Sequence, residues 1–265
     1  MTSQFIAAMS AADYQADGLN GPNGEKLASS VAACAQAGFD GLSFSHMPGV
    51  FEPLELAAYV AGEANVTSQI YVAQRVGLIA PTMCSRMFAT LDQLLGGRLV
   101  AVLETNTTQA AADGDVDSGH MIERAHEYGR IMRDLWAADA PIDHAGSYYK
   151  FNKGRTNVST VKRGQTPIYL SCASVEGVEK NSAFKGVVLP RAGLQVTAAA
   201  IAKFRAQDLH VAVNIDAATD NLDVAIRLYA QSGAQVFIVN VPDGHVAYAS
   251  RYPRFLESWR MAAQV

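Results

Sequence analysis

A strand-then-helix rhythm, repeated eight times, limits what this chain can fold into. The apolar runs are QFIAAMS (4–10), GLSFS (41–45), QIYVAQRVGL (69–78), RLVAVLET (98–105), PIYLSCA (167–173), GVVLP (186–190), HVAVNID (210–216) and AQVFIVNV (234–241). Several are apolar on both faces, as parallel strands are when buried between helices and a core. Helical patterns follow them, among them EKLASSVAACAQAG, EPLELAAYVAGEA, RMFATLDQLLGG, IERAHEYGRIMRDLWA, VTAAAIAKFRAQ and NLDVAIRLYAQSG. Gly38, Gly96 and Gly233 stand where helices stop in the left-handed conformation. Glu52-Pro53, Pro81-Thr82 and Thr219-Asp220 stand where helices start.

Spread over 265 residues, the eight units take about 33 residues each, close to the roughly 250-residue size of a (β/α)8 barrel. An open doubly wound sheet usually has fewer units and a glycine-rich turn after its first strand. Here that loop is AADYQADGLNGPNG, without the GxGxxG spacing. No linker interrupts the rhythm, so residues 1–265 are expected to form a single α/β domain, a (β/α)8 TIM barrel. Gly96-Gly97 then ends the third helix, and Arg98 opens the fourth strand at the barrel base. One segment (139–167) breaks the period. Its HAGSYYKF reads as a turn into an exposed β-ribbon, serving packing or an oligomer contact.

Charge and cysteine usage exclude several classes of function. The net charge is −4, with 17% charged residues and no Lys/Arg run, which argues against a nucleic-acid partner. No apolar run reaches the roughly 18–20 residues of a membrane span. The N-terminus MTSQFIAAMSAADY lacks the basic region of a signal peptide. Cys34, Cys84 and Cys172 are an odd count without CxxC spacing. They read as free thiols, and the expected compartment is the cytoplasm.

In such a barrel, chemistry gathers at the C-terminal strand ends. That rule selects Met9, Ser10, Ser43, Ser45, His46, Arg75, Glu104, Thr105, Asn106, Ser171, Cys172, Pro190, Arg191, Asn214, Asp216 and Asn240. His46 has the side chain of a general base near neutrality, against the alternative of a surface loop histidine. Arg75 lies in an apolar run, so it either binds an anion or pairs with Glu104 on the next strand. Glu104, Thr105 and Asn106 could equally cap the next segment. His210 opens its run, low in the barrel. Asp113, Asp115 and Asp117 have calcium-loop spacing, but Ser118 and Arg124 occupy the positions that need Gly and Glu. The histidines show no HxH or HExxH spacing, so no metal site is expected. Cys172 is more readily a packing residue than a nucleophile.

Three longer stretches carry a family resemblance: RVGLIAPTMCSRMFATLDQLLGGRL (75–99), ERAHEYGRIMRDLWAADAPIDHAGSYY (123–149) and QTPIYLSCAS (165–174). AGFDGLSFS (37–45) and AIRLYAQSGAQVFIV (225–239) match more weakly. Together they resemble the bacterial luciferase-like flavin monooxygenases, in particular the alkanesulfonate monooxygenase branch. The resemblance implies a luciferase-like barrel, reduced FMN supplied by a separate flavin reductase, dioxygen as co-substrate, and a homodimer joined through early helices. It aligns Thr105 with a threonine near the flavin and His210 with an active-site histidine. Ser10, Thr105, Asn106, Ser171 and Ser174 are then expected at the cofactor, and Ser45, Glu104, Arg191 and Asn240 at the substrate.

Departures from the family pattern are as informative. Its phosphate-binding Arg-Tyr pair is Met121-Ile122 here, which removes charge-assisted hydrogen bonds. Its GGSS after the fifth strand is SCAS (171–174), where Ser174 and nearby amides remain available to phosphate. Val50 stands where the branch has a cysteine. The segment between the last two strands is short, and NVPDGH lacks the family tyrosine. The expected function is therefore a two-component flavin monooxygenase acting on a small or carrier-presented substrate. The alternatives are a barrel that binds flavin or another ligand without turnover, and one that has lost flavin and does cofactor-free oxygenase, isomerase or lyase chemistry with His46 or His210 as base.

Overall fold

The computed structural model describes residues 3–10, 13–14, 23–45, 52–62, 69–105, 120–172, 183–190, 193–218 and 221–264. Eight parallel strands close into a ring in the order β1-β10-β9-β8-β7-β4-β3-β2. They are β1 (Gln4–Met9), β2 (Gly41–Phe44), β3 (Gln69–Arg75), β4 (Leu99–Glu104), β7 (Ile168–Ser171), β8 (Gly186–Leu189), β9 (His210–Asp216) and β10 (Val236–Asn240). Each lies inside one of the eight apolar runs. The expected ribbon is present as an antiparallel pair, β5 (Ile142–Ala145) and β6 (Lys150–Gly154). The helices are α1 (Gly24–Ala37), α2 (Pro53–Ala61), α3 (Pro81–Leu94), α4 (Met121–Ala137), α5 (Leu194–Ala206), α6 (Leu222–Gln231), α7 (His245–Tyr248) and α8 (Tyr252–Ala262). None among the described residues is long and apolar enough to cross a membrane.

Side-chain alternation divides the strands between two cores. Phe5, Leu42, Phe44, Val72, Leu103, Val213 and Phe237 point outward, under the helices. Ile6, Tyr71, Ala73, Val100, Val102, Tyr169, Val188, Ala212, Val236 and Ile238 fill the barrel itself. The interior is thus packed, not a channel.

The end of α3 shows why TLDQLLGGR precedes a strand. Gly96 and Gly97 take φ of 61° and 81°, the left-handed turn that a glycine adopts without strain. Buried Asp92 accepts from Val161 N at 2.8 Å and stands 3.4 Å from the Thr166 hydroxyl. Gln93 donates to Ser159 O at 2.7 Å. The helix end therefore clamps the loop that feeds β7.

The ribbon is tied to α4 by Glu127. Its carboxylate accepts from Tyr148 N at 3.0 Å and Tyr149 N at 2.9 Å, and meets His144 Nε2 at 2.9 Å. Burial pushes this carboxyl up, but the bonds from His144 and the two amides outweigh it and hold it below the usual carboxylate range.

Candidate active site

Continuing the alternation upward from the packed interior places Ser10, Arg75, Glu104, Ser171, Asn214, Asp216 and Asn240 on the inward face, at the C-terminal ends of their strands. Beneath them lie small apolar side chains, including Ala8, Ala73 and Ala212. The site is a polar rim over a packed, largely apolar floor.

Arg75 is 2% exposed and stands opposite Glu104 in the β3–β4 register. A guanidinium at this depth costs several kcal/mol to desolvate unless it meets a carboxylate or a bound group. Thr105 donates its hydroxyl to Ser171 O at 3.0 Å, and its backbone N–H goes to the same oxygen at 3.1 Å. It joins β4 to β7, which leaves its side chain only lone pairs to offer a ligand. Asp216 closes a local turn by accepting from Ala218 N at 2.9 Å. Ser45 and Asn240 are exposed at the rim. Cys172 is buried, and burial pushes its thiol up to about 11, which leaves no thiolate for nucleophilic chemistry.

His210 is placed at the other end of the barrel. It pairs with Gly186 at the start of β9, and its Nδ1 lies 3.4 Å from the Tyr169 hydroxyl. A strand rises about 3.3 Å per residue, so it sits roughly 13 Å below Asn214. His210 thus opens β9, away from the strand ends where the resemblance implies an active-site histidine. Burial, and then the charges of Lys185 and Arg205, lower its pKa.

Met121 is buried in the outer core and Ile122 packs against it. Their apolar character serves packing at the start of α4. His46, Asn106, Ser174 and Arg191, and also Val50 and the Asp113–Ser118 stretch, lie outside the described residues. Among the described residues, no group of three or more His, Cys, Asp or Glu side chains is placed to hold a metal ion.

Sequence reasoning missed a buried cluster beside the rim: Asp13, His245 and Tyr252, at 1%, 0% and 0% exposure. The Asp13 carboxylate accepts from Ser10 N at 2.7 Å, Ser10 Oγ at 3.0 Å and His245 N at 2.8 Å. A polar pair 232 positions apart carries no local signal.

Comparison with known proteins places these features in context. The profile of luciferase-like monooxygenases matches residues 4–248. A sulfoquinovose monooxygenase of Agrobacterium fabrum is 38% identical over 97 residues, 36% of this chain and 24% of the relative. The pyrimidine monooxygenase RutA of Methylobacterium radiotolerans is 30% identical over 132 residues, 47% of this chain and 33% of the relative. These alignments therefore take in a third or less of either relative's length. Among solved structures, an F420-dependent secondary alcohol dehydrogenase superposes with a TM-score of 0.76 at 15% identity, covering 100% of both chains. The EDTA monooxygenase of Chelativorans sp. BNC1 gives 0.69 at 15% identity, covering 97% of this chain and 94% of that one. Both likenesses are of fold.

Proposed function

The chain belongs to the luciferase-like monooxygenase family, and on that premise we propose that it is a two-component, flavin-dependent monooxygenase of the cytoplasm. It takes reduced FMN from a separate flavin reductase and acts with dioxygen on a small or carrier-presented organic substrate. The observation that carries this reading is Arg75, 2% exposed and in register with Glu104 at the C-terminal rim of the barrel. A buried cation at a barrel's C-terminal end, where ligands bind, supports a site for a polar or anionic group there.

The residues fit the ring of a flavin better than its phosphate. Small apolar floor residues suit a planar heterocycle, and Arg75, Glu104, Ser171 and Asn240 suit its polar edge or a substrate beside it. The start of α4 has buried Met121 where a phosphate needs donors. Reduced flavin, when bound, supplies the electrons that activate dioxygen. Arg75 holds negative charge, the Thr105 bonds fix the β4–β7 edge, and the dry interior excludes water from below. His46 is the assigned base.

A second reading, a barrel that binds its ligand without turnover or works without flavin, is favoured by Met121-Ile122 alone. Absorbance near 450 nm, followed by titration with oxidised and reduced FMN, separates the two. The expected result is weak binding of oxidised FMN and tighter binding of the reduced form. Dioxygen uptake with a flavin reductase should then rise on adding a sulfonated sugar or a pyrimidine, the substrate types named for the relatives. Binding of neither flavin form, with no substrate-dependent uptake, would sink the flavin reading. Binding of coenzyme F420 instead would change the cofactor class.

A further inference from the structure

We propose that Asp13 is a positioning residue of the barrel rim, holding Ser10 so that it presents to its ligand a lone pair and no proton. The argument starts from where a ladder ends. β1 pairs with β10 from Gln4↔Val236 to Ala7↔Val239 and no further. Gln4 N donates to Gln235 O, so by alternation the backbone groups of Ala8 and Ser10 also face the β10 side. The last pair, Ala7↔Val239, still engages the Ala8 N–H, so it is Ala8 O and Ser10 N that lie beyond the ladder, and such groups need another partner.

Side chains supply it. His245 Nε2 lies 2.8 Å from Ala8 O, and one Asp13 oxygen takes Ser10 N at 2.7 Å. A carbonyl only accepts, so His245 Nε2 carries a proton, and Nδ1 is hydrogen-bonded with the Tyr252 hydroxyl. The other Asp13 oxygen takes His245 N at 2.8 Å. Phe39 stands edge-on to both the His245 and Tyr252 rings, at 6.1 and 5.0 Å between centroids. The loops after the first and last strands are thereby locked together around one buried carboxylate.

The consequence for binding lies in one proton. Ser10 Oγ is 3.0 Å from Asp13 Oδ2, and a carboxylate can only accept, so the hydroxyl proton is committed there. Ser10 can then only accept from the mouth. The ligand group seated against β1 must be a donor, an N–H or O–H, and not a carbonyl or phosphate oxygen. This narrows the cofactor contact expected of Ser10 to the ring imide or a hydroxyl of the ligand.

The probe is FMN, which rests on the flavin reading, so amide hydrogen exchange is measured beside it. Asp13→Asn should speed exchange at the Ser10 and His245 amides together by tenfold or more, on the order of one lost charged hydrogen bond. Ser10→Ala and Asp13→Asn should each weaken reduced-FMN binding about three- to tenfold. The double variant should be no weaker than the weaker single one, because Asp13 acts through Ser10. Losses that multiply, or a Ser10→Ala variant that binds like wild type while Asp13→Asn does not, overturn the proposal. If the wild-type protein binds neither form of FMN, the flavin reading fails by itself. Exchange still decides then: unchanged protection at both amides in Asp13→Asn overturns the positioning role. If Asp13→Asn does not fold, Ser10→Thr keeps the hydroxyl and should retain the affinity that Ser10→Ala loses. Equal loss in both overturns the proposal.

Discussion

Two histidines are proposed to divide chemistry from stability, His46 as the base and His210 as a group of the barrel base. His210 sits at the base, where burial and then the charges of Lys185 and Arg205 hold its pKa below the ordinary 6.5. The unfolded chain therefore binds a proton at a pH where the folded chain does not. The stability this position contributes is present above the unfolded pKa and is lost as pH falls through the folded one. Melting temperature should drop between pH 7 and 5, and His210→Gln should flatten that part of the profile. A slope unchanged by the substitution would show that other groups carry it. Turnover should survive His210→Ala in folded protein, whereas His46→Ala should lower kcat by about 10²–10⁴ with the fold intact. Steady-state rates at matched circular-dichroism signal check this, and the reverse pattern would assign the base to His210.

At the scale of elements, two carboxylates act as clamps. Asp92 joins the end of α3 to the loop before β7 through Val161 N at 2.8 Å. Asp92→Ala removes the buried acceptor of that amide and should cost about 1.5–3 kcal/mol in urea unfolding. Gly97→Ala should cost about 1–2 kcal/mol, because φ there is 81° and the new Cβ would stand 3.2 Å from Val161 Cβ. Glu127 does for the ribbon what Asp92 does for the loop. Its folded pKa is depressed, so its contribution is present above the unfolded value of about 4.5 and fades as pH falls through the lower folded one. Limited proteolysis should begin to cut the ribbon between 142 and 154 at such pH, and in Glu127→Gln already at neutrality. A ribbon equally resistant in the variant would place its anchor in the aromatic packing instead.

For the molecule as a whole, the open question is what covers the outer face of α2 and α3. Tyr59, Met83 and Leu94 are 46%, 47% and 58% exposed on these two helices, which pack on one another. Exposed large apolar side chains on two adjoining helices suit a second copy of this chain, the homodimer implied by the family resemblance. Light scattering at tens of micromolar should give twice the chain mass, and Met83→Glu with Leu94→Glu should halve it. A monomeric mass for the wild-type chain would remove the homodimer from the proposal.

The architecture is legible in the sequence because it rests on local signals. Runs apolar on both faces read as parallel strands, Gly96-Gly97 as a helix stop, and HAGSYYKF as a turn into a ribbon. Strand ends also located Ser10, Arg75, Glu104, Ser171 and Asn240, since alternation and direction follow from position within a run. Partners did not follow. Nothing near Asp13 in the chain indicates His245, nor anything near Asp92 indicates Val161, because a closed barrel brings together residues whose separation in sequence is set by everything between them. Hydrogen-bond polarity belongs to the same category. Whether Ser10 or Thr105 offers a proton or a lone pair depends on the acceptor already beside it, and that neighbour exists only once the ring of strands has closed.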